Sequence, residues 1–311
     1  MKSTDHAAAA GRFATRAAIA SVGLALALLA AKSWAAWTTG STAMLGSLAD
    51  TALDVVASLT TLAGVRIAAQ PADREHRFGH GKAEALVALA QVVLIAVSSV
   101  GIAWRAVDRL LSGQQTSAME LGIGVSVAAM AGTMALLWYQ KRIIAKTDSI
   151  AIRTDNLHYR SDLALNGAVI LALVLDQSLH ISGADAFFGL GIAAWLLLSA
   201  YRGSIAAIDQ LMDREWPDDE RDAFLAASEE YPELKGLHDL RTRRSGMLRF
   251  VQFHVWVPGD WTVQDAHDRL DEVEEKLQNR FPGTEILIHL DPEGQTDRAT
   301  LLPEAITERA R

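Results

Sequence analysis

The first two thirds of the chain contain six stretches of mostly apolar residues, each long enough to cross a bilayer. A helix needs about 20 such residues to span about 30 Å of hydrocarbon. The stretches are residues 16–37, 42–66, 84–110, 120–141, 156–175 and 184–206. Because lipid offers the backbone no hydrogen-bond partners, each stretch is predicted to be a transmembrane helix. Polar residues in the second, third and fifth are expected to face the bundle.

Two pairs of ionisable residues interrupt these apolar stretches. Asp50 and Asp54 lie in the second, His158 and Asp162 in the fifth, and a spacing of four puts each pair on one helix face. Ionisable groups inside a bilayer are costly and mark functional sites. If the two helices face each other, three carboxylates and an imidazole form a ligand set suited to Zn²⁺, and also to Fe²⁺, Co²⁺ or Cd²⁺. The alternative is a structural polar cluster, with a carboxylate paired to Arg160.

Two more groups of potential ligands lie outside the apolar stretches. Asp73, His76 and His80 fall within eight residues of the connection between the second and third stretches, where the alternative is an ordinary charged loop. A further group lies in the C-terminal third: His238, His254, His267, His289 and Asp291. Seven of the nine histidines belong to these three groups, and imidazole is the commonest metal ligand. The clustering therefore favours metal binding over scattered surface histidines.

Composition excludes several classes of protein. The chain has no cysteine, so disulfides and thiolate metal sites are ruled out. From Asp213 onward, 13 Lys and Arg face 23 Asp and Glu, an acidic balance that argues against a nucleic-acid partner. Lys and Arg concentrate in the second and fourth connections between apolar stretches, and Arg105 and Arg109 are exceptions. The positive-inside rule then predicts a multi-pass membrane protein with both termini in the cytoplasm.

A small α+β domain is predicted after the apolar stretches. Its expected order is helix 218–230, strand 237–243, strand 248–257, helix 263–281 and strand 284–290, with a hairpin turn at Ser245-Gly246. The second strand alternates between a valine-rich face and a face with His254. The predicted organisation is an N-terminal tail (1–11), a transmembrane domain (12–212), a cytoplasmic domain (213–292) and a C-terminal tail (293–311), with residues 1–10 and 293–311 disordered.

Seven short motifs occur along the chain: SLADTALD at 47–54, QPAD at 70–73, FGHGKAE at 78–84, HYRSD at 158–162, LMDR at 211–214, HDLRTR at 238–243 and FPG at 281–283. With these motifs the chain resembles the cation diffusion facilitator family, and within it the bacterial zinc and ferrous-iron exporters, which implies a location in the cell inner membrane. The resemblance extends from the first apolar stretch to Asp291.

The resemblance implies a six-helix transmembrane bundle followed by a ferredoxin-like, metallochaperone-like cytoplasmic domain that forms a homodimer. It implies a role for each ligand group. Asp50, Asp54, His158 and Asp162 would form the transport site; Asp73, His76 and His80 a loop site; and His238, His254, His267, His289 and Asp291 a two-metal cytoplasmic site shared across the dimer. Lys82 and Asp213 would form a charge pair at the dimer interface. Leu290 departs from the family, whose close members have glutamine there, and this predicts a weaker second cytoplasmic metal.

The resulting functional prediction is a proton-coupled antiporter that exports divalent metal by alternating access. Zn²⁺ or Fe²⁺ would be both substrate and regulatory ligand, without an organic cofactor, and His158 and Asp54 would couple protons to metal because ligands must be deprotonated to bind. A membrane metallohydrolase is disfavoured because the chain has no H-E-x-x-H motif. A metal sensor would not need the buried carboxylates. A channel would need a continuous polar pore.

Overall fold

The computed structural model describes residues 2–39, 42–112, 122–179 and 184–294. The chain divides into two compact units. One comprises residues 11–208 and is called the helical unit. The other comprises residues 1–10 and 209–311; its described part from 209 onward is called the α+β unit. The predicted fold class, a helical membrane domain followed by a small α+β domain, is confirmed.

Six long helices account for the first part of the chain. They are α1 (Lys2–Thr39), α2 (Thr42–Ala68), α3 (Ala83–Ser112), α4 (Gly122–Thr147), α5 (Ile150–Leu179) and α6 (Ala184–Leu211). The prediction of a disordered segment at 1–10 was wrong for residues 2–10, which begin α1. Its alanine run at 7–10 has the highest helix propensity and extends the helix without a break. The predicted C-terminal tail lies outside the described residues from 295 onward.

Four helices in the described part of the chain contain a stretch that is long and apolar enough to cross a membrane. These stretches are Ala8–Thr38, Asp50–Ala68, Ala83–Ser112 and Ala186–Leu211. The remaining two predicted spans correspond to α4 and α5. Helix α5 carries Arg153, Asp155, His158, Arg160 and Asp162, which lower its hydropathy. The count of six crossings remains a prediction.

Packing in the helical unit leaves apolar side chains on the outside. Helix α3 contacts α2 and α5, and α5 also contacts α4. Ala88, Val92 and Ile95 of α3 are buried, whereas Val97 and Trp104 on its other side are exposed. Exposed apolar side chains along a long helix are the pattern expected of a lipid-facing surface.

The α+β unit contains two helices, a short 3-10 helix and a three-stranded sheet. Its elements are α7 (Asp218–Ser228), the 3-10 helix (Pro232–Leu234), β1 (His238–Ser245), β2 (Leu248–Val257), α8 (Val263–Arg280) and β3 (Thr284–Pro292). The strand order is β1-β2-β3, with β1 antiparallel and β3 parallel to β2. The core is formed by one face of the sheet packed against both helices: Phe224, Val251, Phe253, Val255, Leu270, Val273 and Leu277.

The strand register determines which side chains lie together on the face of the sheet opposite the core. His238 pairs with His254 across β1 and β2, and His254 pairs with His289 across β2 and β3. Because paired residues point the same way and alternate along a strand, these histidines form a row on the face opposite the core. Leu290 pairs with Val255 and packs against the core instead.

Candidate metal centres

The site predicted inside the apolar helices brings three of its four residues together. His158 Nε2 of α5 lies 3.0 Å from Asp54 Oδ1 of α2 and 3.8 Å from Asp162 Oδ2. One ligand atom from each of the three residues lies within 4.8 Å of the others. Their side chains are about one fifth to one third exposed (19%, 21% and 33% for His158, Asp54 and Asp162). One imidazole and two carboxylates at this spacing can ligate a divalent cation.

Asp50, the fourth predicted ligand, lies one helical turn before Asp54 on α2 and is exposed. Among the described residues it is outside the close group formed by the other three. The next residue, Thr51, is 1% exposed, and its hydroxyl lies 2.6 Å from Lys32 Nζ of α1. Asp50 therefore remains a predicted ligand.

A buried carboxylate that the sequence analysis missed lies one turn from His158 on α5. Asp155 is fully buried and accepts hydrogen bonds from residues of three other helices. Ser21 Oγ of α1 and Gln140 Nε2 of α4 each donate to Oδ2 at 2.7 Å, and Thr61 Oγ1 of α2 lies 3.4 Å from Oδ1. These donors satisfy the oxygen atoms of a carboxylate that is removed from solvent. The sequence feature that could have identified Asp155 was its position three residues before His158.

Further polar contacts surround Asp155. Asn156 Nδ2 donates to Gln140 Oε1 at 2.9 Å. Tyr159 Oη lies 2.8 Å from the Ser58 hydroxyl and donates to the Ser21 carbonyl at 3.1 Å. All of these side chains are buried. We call the set Ser21, Ser58, Thr61, Gln140, Asp155, Asn156 and Tyr159 the buried polar layer. It lies toward the C-terminal end of α2 and the N-terminal end of α5, which is the predicted cytoplasmic end.

The loop between α2 and α3 brings its three predicted ligands together. Asp73 Oδ2 lies 3.3 Å from His80 Nε2, and Asp73 Oδ1 lies 3.6 Å from His76 Nδ1. The backbone N–H groups of His76 and Glu75 donate to Asp73 Oδ1 at 2.7 and 2.9 Å. The first of these bonds is the main reason why the pKa of Asp73 lies below its ordinary value. Asp73 is therefore held ionised and in place, as a metal ligand must be.

In the α+β unit, three histidines lie close to the carboxylate of Asp291. Its Oδ2 lies 2.9 Å from His254 Nδ1 and 3.1 Å from His238 Nε2, and its Oδ1 lies 3.6 Å from His289 Nε2. Burial opposes ionisation of Asp291, but the contacts with His254 and the other histidines outweigh it, so the pKa of Asp291 lies below its ordinary value. The carboxylate of Asp291 and the ring nitrogens of His238 and His254 form a compact metal-ligand set, and His289 lies beside it.

The orientation of His238 favours a cation between the ring and Asp291. Its Nδ1 lies 2.8 Å from the carbonyl oxygen of Gly236, and a carbonyl only accepts, so Nδ1 carries the proton. The Nε2 atom of the neutral ring then carries a lone pair 3.1 Å from Asp291 Oδ2, so a proton or a metal ion must lie between these two acceptor atoms. A backbone carbonyl fixing the tautomer in this way is common behind metal-ligating histidines.

Besides Asp50, three further residues of the predicted sites remain apart from these groups. His267 of α8 is exposed, and its Nδ1 lies 3.2 Å from Asp271 Oδ1 on the same helix. Asp213 Oδ1 lies 3.4 Å from Arg243 Nη1. Lys82 belongs to the helical unit and Asp213 to the other unit, so their pairing remains a prediction.

Long apolar helices holding acidic and imidazole ligands define a membrane protein that handles metal cations. The chain belongs to the cation efflux family: residues 18–212 match the cation efflux transmembrane domain and residues 216–293 match the cation efflux protein cytoplasmic domain. It is 44% identical over 283 residues to the cation-efflux pump FieF of Cronobacter sakazakii, covering 91% of this chain and 94% of that protein. FieF of Klebsiella pneumoniae is 43% identical over the same length.

A solved structure also resembles part of the chain. The metal-bound C-terminal domain of the CzcD transporter from Thermotoga maritima is 29% identical, with a TM-score of 0.24, over 25% of this chain and 93% of that one.

Proposed function

We propose that the protein exports divalent metal cations from the cytoplasm through the site formed by Asp54, His158 and Asp162. The observation that carries this proposal is the convergence of these three ligands on α2 and α5. Family membership supports cation efflux, and the relatives named as cation-efflux pumps span nearly the whole chain. Under this proposal, the protein is a secondary transporter rather than an enzyme.

The ligand chemistry supports Zn²⁺ or Fe²⁺ as the substrate, with Cd²⁺ and Co²⁺ as further candidates. Nitrogen and oxygen ligands accept all four ions, and Asp50 would complete the set as the fourth ligand. Binding requires a deprotonated imidazole and ionised carboxylates, so protons and metal compete for His158 and Asp54. This competition supports exchange of metal for protons.

Unequal access to the two ends of the site supports alternating access. The buried polar layer lies between the site and the predicted cytoplasmic end, and its residues are at most 3% exposed. Toward the other end of α2, Asp50 is exposed. A state that faces the cytoplasm would therefore require the layer to separate.

The α+β unit supports a regulatory role for cytosolic metal. Its domain type is the family's cytoplasmic domain, which supports a homodimer. His238, His254, His289 and Asp291 would hold metal within one protomer, and exposed His267 would be available to a site shared with the partner. Metal that draws two such domains together would shift the population of membrane-domain states.

Metal flux into proteoliposomes under an imposed pH gradient tests the function. Zn²⁺, Fe²⁺, Cd²⁺ and Co²⁺ are compared in the wild type, in Asp54→Ala and in the matched control Asp108→Ala, which removes an exposed carboxylate of α3. We expect gradient-driven flux that Asp54→Ala abolishes and Asp108→Ala retains. His158→Ala should weaken the dependence of flux on the gradient, because an imidazole must give up its proton before it can bind the metal.

Two results would contradict the proposal. Full flux in Asp54→Ala would show that transport does not use this site. No flux for any ion, with metal still bound by the α+β unit, would favour the metal-sensor alternative.

A further inference from the structure

A lysine lies within the first membrane helix, close to the proposed transport site. Lys32 belongs to the apolar stretch Ala8–Thr38 of α1, and its Nζ donates to Thr51 Oγ1 of α2 at 2.6 Å. Thr51 is buried, follows Asp50 directly and lies three residues before Asp54. The ammonium group is therefore fixed on the same segment of α2 that carries two of the acidic residues.

The segment of α2 that Lys32 contacts also contacts the other helix of the site. Asp54 follows Thr51 by three residues, and its Oδ1 lies 3.0 Å from His158 Nε2 of α5. A cation in an apolar span is stable only where acidic or polar groups compensate it. Lys32 therefore belongs to the electrostatic environment of both helices that provide the proposed ligands.

Counting charges gives Lys32 a specific role. Asp50, Asp54 and Asp162 carry three negative charges when they are ionised, and a neutral His158 adds none. A divalent cation cancels two of these charges, and Lys32 cancels the third. Because like charges repel, the ammonium group of Lys32 also opposes the entry of the divalent cation into the site.

A second role is possible for a lysine near the end of a membrane helix. Its flexible stem can extend so that the ammonium group reaches the headgroup region, and such a lysine acts only as an interfacial anchor. The hydrogen bond to buried Thr51 directs the side chain of Lys32 toward α2 instead.

We propose that Lys32 is a positioning residue for transport, a tethered cation that weakens divalent metal binding at Asp54, His158 and Asp162 and thereby promotes metal release. The inference rests on the proposed function. A metal ion without this opposing charge would bind more tightly but leave more slowly. Affinity and turnover are thus expected to change in opposite senses when Lys32 is neutralised.

The test is transport kinetics of the full-length protein in proteoliposomes, with Zn²⁺ as the probe and a fixed pH gradient. Lys32→Met removes both the charge and the hydrogen bond, and Lys32→Gln removes the charge but keeps a donor for Thr51. Lys141→Met, which removes an exposed lysine of α4, is the matched control. We expect both Lys32 variants to lower KM by at least about tenfold and to lower kcat, because a nearby unit charge acts strongly on a divalent ion.

The outcomes separate the proposal from its alternatives. An unchanged KM in Lys32→Gln overturns it. If only Lys32→Met is impaired, with normal KM and poor folding, the hydrogen bond to Thr51 is structural and the proposal fails. A rise in KM also overturns it. Failure of the proposed function is distinguishable, because Asp54→Ala would then keep the wild-type flux.

Discussion

Asp155 places an ionisable group where both water and lipid are excluded. The chain supplies donors from α1, α2 and α4, so three helices depend on one carboxylate of α5. Losing the carboxylate would remove an acceptor shared by three helices, and a buried polar group that loses its partner costs about 1–3 kcal/mol. The residue therefore stabilises the helical unit in the arrangement described, next to the metal ligands but distinct from them.

Replacing Asp155 with alanine is expected to destabilise the helical unit by about 3 kcal/mol, because Ser21 and Gln140 lose their common acceptor. Thermal unfolding of the full-length protein in detergent measures the change. Asp108→Ala, the exposed carboxylate of α3, should have little effect. Equal stability of the two variants would mean that the buried donors find other partners.

At the scale of the element, alternate residues of strand β3 face the metal ligands and the hydrophobic core. His289 and Asp291 face the metal-ligand row, whereas Leu290 between them packs against the hydrophobic core. A leucine at this position is therefore explained by the core. Its side chain points away from the histidines, so its effect on metal binding would have to be indirect.

We expect Leu290→Gln to destabilise the α+β unit by about 1–3 kcal/mol without raising metal affinity, because it puts an amide into the core. Leu287→Gln on the same strand is the matched control, since Leu287 is 60% exposed. Unfolding curves and zinc titrations of the full-length variants provide the measurements. Tighter zinc binding in Leu290→Gln would show that residue 290 supports the metal through the strand.

Periodicity and turn residues were sufficient to predict the elements. Apolar stretches located the six long helices, and alternation with Ser245-Gly246 located the hairpin of β1 and β2. The pairings of Asp54 with His158 and of Asp73 with His80 followed from spacing and residue type. The Asp155 contacts did not, because its partner Ser21 is 134 residues away and only tertiary packing brings the two together. For the same reason, spacing could not reveal that Asp50 stays outside the close group.

At the scale of the whole molecule, all three ligand clusters consist of imidazole and carboxylate groups. If each cluster binds metal as proposed, protons compete with metal at the membrane site, in the loop and in the cytoplasmic domain alike. Acidification would then weaken metal binding at all three, and their predicted positions would expose them to different compartments. Transport and cytosolic regulation are thus expected to respond to pH on different sides of the membrane.

The Asp291 cluster gives a signed pH dependence. Because the pKa of Asp291 is lowered on folding, its ionised form adds stability above its unfolded pKa of about 3.9. That contribution is lost as the pH falls through the lower folded pKa. In full-length protein with metal chelated, Asp291→Asn should reduce protection of β2 from hydrogen exchange at neutral pH. The difference from wild type should disappear at the acidic end, and a difference independent of pH would contradict this origin.

The cytoplasmic ligands are also far apart along the chain. His238 and Asp291 are separated by 53 residues, and the segment between them includes β2 and α8. A metal held by both would close a long loop, which reduces the entropy of the unfolded chain and favours the folded domain. The resistance of this domain to cellular proteases would then rise with cytosolic metal, so that the ion to be exported would also prolong the lifetime of its exporter.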